Sequence, residues 1–419
     1  MGNSIVIVRS DNKIVTALLH ERELVTIGLE PEGKKVKVGD IYIGKVQNIV
    51  KNINGAFVEI ADKEVCYLPI SKGMEPVFCD GRSRDEHTVT TDANDAEDTN
   101  TSKKGNTNKG ERKIRIGDEI LVQISKDTAK SKAPLATVDL NLSGRYVVLA
   151  KGKSGIGVSS KISVDADRER LKKLVEPYLG EGYGYIIRTN ALIASEDDII
   201  REVASLKEQY EILTSKKIHG VCYTKVHSAP PSFILEVRDG YSYEIDSIRT
   251  DDEEIYESLK EYMESQPETE QKKLEFFDDK NISLSTLYGL EGKLQKALQD
   301  KVWLDSGAYL VIQPTEALVS IDVNTGKAIA GKQNTEETFF RVNCEAAEEI
   351  AVQLRLRNLS GIIIVDFIDM KKEEHRKALL EKLREEIAKD HITTRLIDMT
   401  PLGLVELTRQ RIRKPIYEQ

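Results

Sequence analysis

Two short segments of the 419-residue chain hold residues whose types and spacing could do chemistry: Ser320-Ile321-Asp322-Val323-Asn324 and Gly361-Ile362-Ile363-Ile364-Val365-Asp366-Phe367-Ile368-Asp369-Met370. Each reads as a β-strand whose apolar run ends in a carboxylate. The second, four aliphatic residues in a row, has the pattern of a strand covered on both faces, where an acid is costly unless a cation meets it. Open α/β sheets place their ligand sites at the carboxyl ends of the strands. Side chains alternate along a strand, so Ser320, Asp322 and Asn324 share one face, and Ile364, Asp366 and Ile368 share another. Converging carboxylates with an amide nearby suit Mg²⁺, which takes oxygen ligands and is usually held by one or two carboxylates plus substrate phosphates. The chemistry that follows is phosphodiester chemistry. Either acid alone is equally readable as a turn former or a helix N-cap; the pair is what carries the signal. Alternation puts Asp369 on the opposite face from Asp366, which gives it a supporting role.

The elements that must position these acids come last in the chain. A helix over Ile282–Lys301, strands at Gly307–Ile312 and Ala317–Val323, a long helix from Thr335 to Arg357, the strand Ile362–Phe367 and a helix over Lys371–Lys389 alternate as an α/β sheet. On the long helix, Ala347, Ile350, Ala351 and Leu354 follow the i, i+3, i+4, i+7 spacing of one buried face. Upstream, Ser4–Val8 and Ile14–Leu19 form a hairpin. Strands at Ile41–Val50, Gly55–Ile60, Val65–Pro69 and Glu119–Ile124, with no helix between them, suggest a small barrel. Within it, the Thr-, Asn- and Asp-rich stretch 80–113 cannot bury a core and reads as a disordered insertion. Leu171–Leu179 and Glu196–Leu213 have helical spacing around a strand at Gly184–Thr189. Strand-like pieces follow at Ser232–Arg238 and Tyr241–Ser247, then a charged helix at Glu253–Glu264; these are too small for a core of their own and should pack on the first hairpin.

Length sets two to four domains as the expectation. No apolar run approaches the roughly 18 residues of a membrane span. Ser10-Asp11-Asn12-Lys13 interrupts the first apolar stretch, so it is no secretory signal, and Val6 replaces the Ser or Thr that myristoylation after Met1-Gly2 requires. A cytoplasmic location is the expectation. Cys66, Cys79, Cys222 and Cys344 are scattered and form no Cys-x-x-Cys, which disfavours a disulfide framework or a sequence-local zinc site. The net charge of −9 argues against indiscriminate nucleic-acid coating but leaves room for basic grooves. Lys34-Lys35-x-Lys37 and Arg409-x-Arg411-x-Arg413-Lys414 are locally basic, although such runs are most often solvated faces.

The run Thr315 to Lys327, with Asn343-Cys344-Glu345-Ala346-Ala347-Glu348-Glu349-Ile350-Ala351, Gln353-Leu354-Arg355-Leu356-Arg357 and Asp366-Phe367-Ile368-Asp369-Met370, resembles the catalytic core of the bacterial ribonuclease E/G family. Gly55-Ala56-Phe57-Val58-Glu59 and Tyr67-Leu68-Pro69 resemble its S1 barrel, and Ser143–Leu149 resembles the start of its 5′-sensor. The resemblance implies an α/β multidomain fold. An S1 (OB-type) barrel at 36–140 is inserted in an RNase H-like subdomain (1–35 with 226–279). A 5′-sensor subdomain (141–225) and a DNase I-like catalytic subdomain (280–419) complete it. It further implies a Mg²⁺-dependent endoribonuclease that cuts single-stranded A/U-rich RNA to 5′-phosphate and 3′-hydroxyl ends, prefers a 5′-monophosphate, and serves RNA decay and rRNA and tRNA processing. A non-catalytic RNA-binding scaffold is the alternative, and a nuclease that also takes DNA is a third.

By the same resemblance, Asp322 and Asp366 hold Mg²⁺ with Asn324 in support, Phe57 and Tyr67 stack on RNA bases beside Lys132, and Gly144, Val148, Arg188 and Thr189 take the 5′-phosphate. Two departures stand out. The family carries a basic residue where this chain has Thr393, and Arg395, on the same strand face, is the candidate substitute. The family's zinc-sharing Cys-x-x-Cys is absent, so zinc is not expected in this chain, and any homodimer would need other contacts.

Overall fold

The structure, a computed structural model, describes residues 2–33, 36–79, 113–126, 133–215, 221–239, 245–264, 266, 268–328, 335–390, 392–411 and 414–418. The stretch 80–112, Lys132, Lys34, Lys35 and Arg413 lie outside the described residues. The chain divides into two compact units, Met1–Lys34 with Pro230–Gln419, and Lys35–Ala229.

The first unit begins with an antiparallel meander, β1 (Asn3–Ser10), β2 (Lys13–His20) and β3 (Glu23–Pro31). The expected hairpin thus gains a third strand. In the second unit, β4 (Ile41–Val50), β5 (Gly55–Ala61), β6 (Glu64–Pro69), β7 (Glu119–Lys126) and β8 (Leu135–Thr137) pair in the order β4-β5-β6-β8-β7, and β7 pairs back with β4. That closure makes a five-stranded barrel, filled by residues such as Val46, Val58, Ile60, Leu68 and Val122. The unit continues with β9 (Asn141–Ser143), β10 (Val147–Lys151), β11 (Ile156–Val158), α1 (Asp165–Val175), β12 (Tyr183–Ile187), α2 (Glu196–Thr214) and β13 (Lys225–His227). β9 to β12 form a four-stranded sheet in the order β11-β12-β10-β9, on which α1 and α2 pack through Leu171, Val175, Ile199, Val203 and Leu206. The fully buried Asp40 accepts hydrogen bonds from the Lys37 N–H, the Tyr42 hydroxyl and the Ala229 N–H, and pairs with Lys225 Nζ at 2.8 Å, tying the unit's entry to its exit.

Back in the first unit, α3 (Ser232–Asp239) is a helix where the sequence reads as a strand. Its Phe, Ile and Val content favours β structure locally, but Pro230-Pro231 lead it, and the Glu30 carboxylate accepts from both the N–H and the hydroxyl of Ser232 at its first turn. Phe233 and Ile234 are then buried, with Val237 packed beside them. β14 (Ile245–Thr250) pairs in parallel with β1; α4 (Glu253–Glu264), α5 (Glu268–Gln271) and β15 (Leu274–Phe276) follow. The resulting sheet, β15-β14-β1-β2-β3, is buried on both faces: Ile5, Ile7 and Leu18 meet α3 and α4, while Val6, Val8 and Ala17 meet α6 (Leu284–Tyr288) and α7 (Leu290–Ala297). These two short helices replace the single expected one because Gly289, at φ +60, closes the first in a left-handed C-cap.

The last sheet contains β16 (Lys301–Trp303), β17 (Tyr309–Pro314), β18 (Leu318–Asn324), β19 (Gly361–Asp366), β20 (Thr394–Met399) and β21 (Leu404–Arg409), in the order β16-β17-β18-β19-β21-β20, with α8 (Thr335–Leu356) and α9 (Glu373–Ala388) packed on one face. Ala347, Ile350, Ala351 and Leu354 of α8 are all buried, as their spacing predicts. Among the described residues only that face is covered. Ile363 and Val365 point into the core, whereas Ile362 is 52% exposed, so the expectation of a strand buried on both sides is corrected. Arg409 is a second correction: it is buried rather than part of a solvated basic face, with its Nε 2.8 Å from Asp390 and its Nη1 donating to Asn358 Oδ1 and the Leu359 carbonyl. Among the described residues no helix is long and apolar enough to cross a membrane.

Candidate active site

Asp322 and Asp366 stand directly opposite each other in the parallel ladder between β18 and β19. Val319, Ile321 and Val323 fill the core beneath β18, as Ile363 and Val365 do beneath β19, so alternation turns both acids to the open face. One strand spacing, about 4.8 Å, separates their backbones. Asn324 shares the face and its Nδ2 donates to Asp322 Oδ2 at 2.7 Å, which fixes that carboxylate's orientation. Partial burial, then the charges of Asp322 and Asp369, push the Asp366 carboxyl above the ordinary aspartate range. Both acids reach the surface, where a cation would relieve their mutual repulsion. Among the described residues no group of three or more His, Cys, Asp or Glu is arranged to hold a metal. A two-carboxylate donor set leaves the other positions to water and phosphate, and it fits a hard divalent cation of the Mg²⁺ kind.

The turn after Asp366 is pinned by residues that motif reading passes over. Asn343, fully buried on α8, donates from Nδ2 to the Ile368 carbonyl at 2.8 Å and accepts at Oδ1 from the Ile368 N–H at 3.0 Å. The Glu336 carboxylate accepts from the N–H groups of Lys371 and Lys372, which hold its carboxyl below the usual range. The signal for Asn343 was present: it is an amide flanked on the helix's apolar face by Val342, Ala346 and Ala347.

In the barrel, Phe57 and Tyr67 face each other across β5 and β6, with ring centroids 5.7 Å apart. Both are half-buried on the outer surface while their neighbours Ala56, Val58, Cys66 and Leu68 fill the core. They are therefore not core residues, which is the reading that a lone barrel aromatic invites.

The second unit also brings Gly144, Val148, Arg188 and Thr189 together. Arg188 Nη1 donates to the Gly144 carbonyl at 2.7 Å, and the Thr189 and Ser159 hydroxyls are 3.2 Å apart. Val148 pairs with Ile186, two residues before Arg188, so alternation gives it the same face. Sequence reading missed Glu202 of α2, whose carboxylate accepts from the N–H groups of Arg145, Tyr146 and Val147 at 2.7, 2.7 and 2.8 Å. A Cβ on Gly144 would lie 2.3 Å from that carboxylate, so only glycine fits. Arg395 is exposed on β20, in the other unit.

The profile of the Ribonuclease E/G family matches residues 141–412. Ribonuclease G of Salmonella typhimurium (strain SL1344) is 35% identical over 393 residues, covering 94% of this chain and 76% of that protein. Ribonuclease G of Haemophilus influenzae is 35% identical over 408 residues, 97% of this chain and 79% of the relative. Ribonuclease E of Nostoc sp. (strain PCC 7120) is 32% identical over 385 residues, 91% of this chain and 52% of its own longer length. With most of its length aligned to these proteins, and with the paired aspartates on one open sheet face, the chain belongs to the ribonuclease E/G family.

Proposed function

We propose that the chain is a Mg²⁺-dependent endoribonuclease that hydrolyses single-stranded, A/U-rich RNA to 5′-phosphate and 3′-hydroxyl ends, in RNA decay and rRNA and tRNA processing. The observation that carries this reading is the in-register pair Asp322 and Asp366, held on an open face with Asn324 hydrogen-bonded to one of them. Those two carboxylates would hold the cation. The chemistry supplied by a bound Mg²⁺ is polarisation of the scissile phosphate and activation of an attacking water. Asn324 keeps Asp322 in one orientation, and Asn343 keeps the backbone after Asp366 from shifting. The family and the closed barrel support a four-part division: an RNase H-like piece, an S1 domain, a 5′-sensor and a DNase I-like catalytic piece.

Phe57 and Tyr67, presenting ring faces on the barrel's outside, are proposed to stack on bases, and Lys132, by the family resemblance alone, to supply a basic contact to the RNA. Arg188 and Thr189, with Gly144 and Val148, are proposed to take a 5′-monophosphate, the guanidinium supplying a fork of donors. Arg395 is proposed to stand in for the basic residue missing at Thr393, and Arg395→Ala should weaken the monophosphate preference.

The test is incubation of the chain with a fluorescent A/U-rich RNA bearing 5′-monophosphate or 5′-hydroxyl, in Mg²⁺ or EDTA, alongside Asp322→Asn. Internal cutting by the parent that needs Mg²⁺, absent in a variant that still binds RNA, is the expected result. Equal cutting by both proteins removes Asp322 from the site. RNA that binds and stays whole in Mg²⁺ favours a scaffold.

A further inference from the structure

The open face that carries the two aspartates continues across β17 and β16, and its register places an aromatic surface beside them. Tyr309 pairs with Asn324, Val311 with Asp322, and Trp303 with Tyr309. Directly paired residues share a face, so Trp303, Tyr309 and Asn324 form one row and Lys301, Val311, Asp322 and Asp366 form the next. Burial agrees: Leu310 and Ile312 fill the core between the outward residues. The Trp303 and Tyr309 rings lie 5.2 Å apart, and Lys301 Nζ sits 4.1 Å from the first ring's centroid and 3.5 Å from the second's. Trp303 is 60% exposed. Large aromatics are normally spent on a core, and an exposed indole carrying its own cation, two strands or about 10 Å from the aspartate ladder, has no packing rationale.

We propose that Trp303 and Tyr309, with Lys301, form a stacking subsite for one base of single-stranded RNA, within one or two nucleotides of the phosphate held at Asp322 and Asp366. The chemistry singles out that ligand. Every base offers a π-face to an indole, the adjoining phosphate offers its charge to Lys301, and a base held there fixes which phosphate meets the aspartates. The inference rests on the nuclease reading above for the identity of the neighbouring phosphate. It goes beyond that reading in assigning a base contact outside the barrel.

Trp303 is the chain's one tryptophan, so its emission reports this single ring. The parent protein in EDTA, where cutting is not expected, is titrated with a ten-nucleotide A/U RNA and with a series carrying one abasic nucleotide at each position. Saturable quenching is expected, lost when the abasic position falls within two nucleotides of the phosphate later cut in Mg²⁺. Trp303→Ala should raise KM about tenfold or more with kcat little changed, while Trp303→Phe keeps most of the affinity. Emission indifferent to RNA, or an unchanged KM in Trp303→Ala, overturns the proposal. So does emission that follows protein concentration alone, the mark of a ring seated on a second copy. Asp366-dependent cutting without quenching sinks this inference and leaves the nuclease standing. Quenching with an abasic-sensitive position, but no cutting by the parent in Mg²⁺, sustains the stacking site and sinks the nuclease.

Discussion

Asp366→Asn should make the metal-free protein more stable and, on the proposed reading of the site, abolish cutting of RNA in Mg²⁺. Two unit charges about 5 Å apart repel by about 1 kcal/mol in water and about 3 kcal/mol at the effective dielectric of a protein surface. Both carboxylates are exposed, so solvent screening selects the lower end, about 1 kcal/mol. The pH dependence has a definite sign. Asp366 is raised above its ordinary value of 3.8 in the folded state. Between the unfolded and folded values the native protein therefore binds more protons than the unfolded chain, and stability falls as pH rises through that window. The variant lacks this decrement. The assay is urea unfolding in EDTA and in Mg²⁺ at several pH values. In EDTA at neutral pH the variant should unfold at higher urea than the parent; added Mg²⁺ should stabilise the parent and leave the variant nearly unmoved. A variant less stable than the parent in EDTA, or a parent indifferent to Mg²⁺, would refute the electrostatic account of the pair.

Asn343→Ala strips the Ile368 N–H and carbonyl of their buried partner; a loss of about 2–4 kcal/mol in chemical unfolding is expected, with cutting reduced more than RNA binding. Asp40→Asn weakens the hold of a fully buried acid on the part-exposed Lys225 and should cost about 1.5–3 kcal/mol by thermal unfolding. Burial raises the Asp40 carboxyl, but Lys225 and the N–H groups of Ala229 and Lys37 outweigh it and hold it below the usual range. The stabilisation from Asp40 is therefore fully present above the unfolded value of about 3.9 and lost as pH falls through the lower folded value, a loss the variant should not show. Phe57→Ala and Tyr67→Ala should each weaken RNA binding by about 1–3 kcal/mol in a filter or anisotropy assay, with the melting temperature little changed, since neither ring is in the barrel core.

Where sequence and structure agree, one local pattern sufficed. The strands Ile41–Val50 and Gly55–Ala61 and the long helix Thr335–Leu356 carry unbroken periodicity, and the structure keeps them nearly residue for residue. Disagreement arises where a neighbour decides. Ser232–Asp239 has strand composition, and only the Glu30 carboxylate at its first turn and the sheet surface beneath it make it a helix. Strands Thr394–Met399 and Leu404–Arg409 acquire their order from pairing with each other and with Gly361–Asp366, so neither stood out alone. At the candidate site the two acids could be found from strand alternation. Their direct opposition could not, because alternation says which face each acid takes but not which rung of β18 meets which rung of β19, two strands far apart in sequence. Glu202 illustrates the same limit: a helical glutamate among many, it acquires its role only when three backbone N–H groups from a distant loop converge on it.

The ladder that sets Asp322 opposite Asp366 also ties the geometry of the candidate site to folding fidelity. The gap between the acids is a property of main-chain pairing, so loops joining the two strands can lengthen, shorten or change sequence without altering its gauge. The same ladder punishes error. A slip of one residue in β19 would drive Asp366 into the apolar surface of α8 and α9 and bring Ile363 and Val365 out of the core, a state too unstable to accumulate. A molecule that has folded at all has thus already passed an alignment check on its own site, and drift in the surrounding sequence is tolerated as long as those few rungs hold.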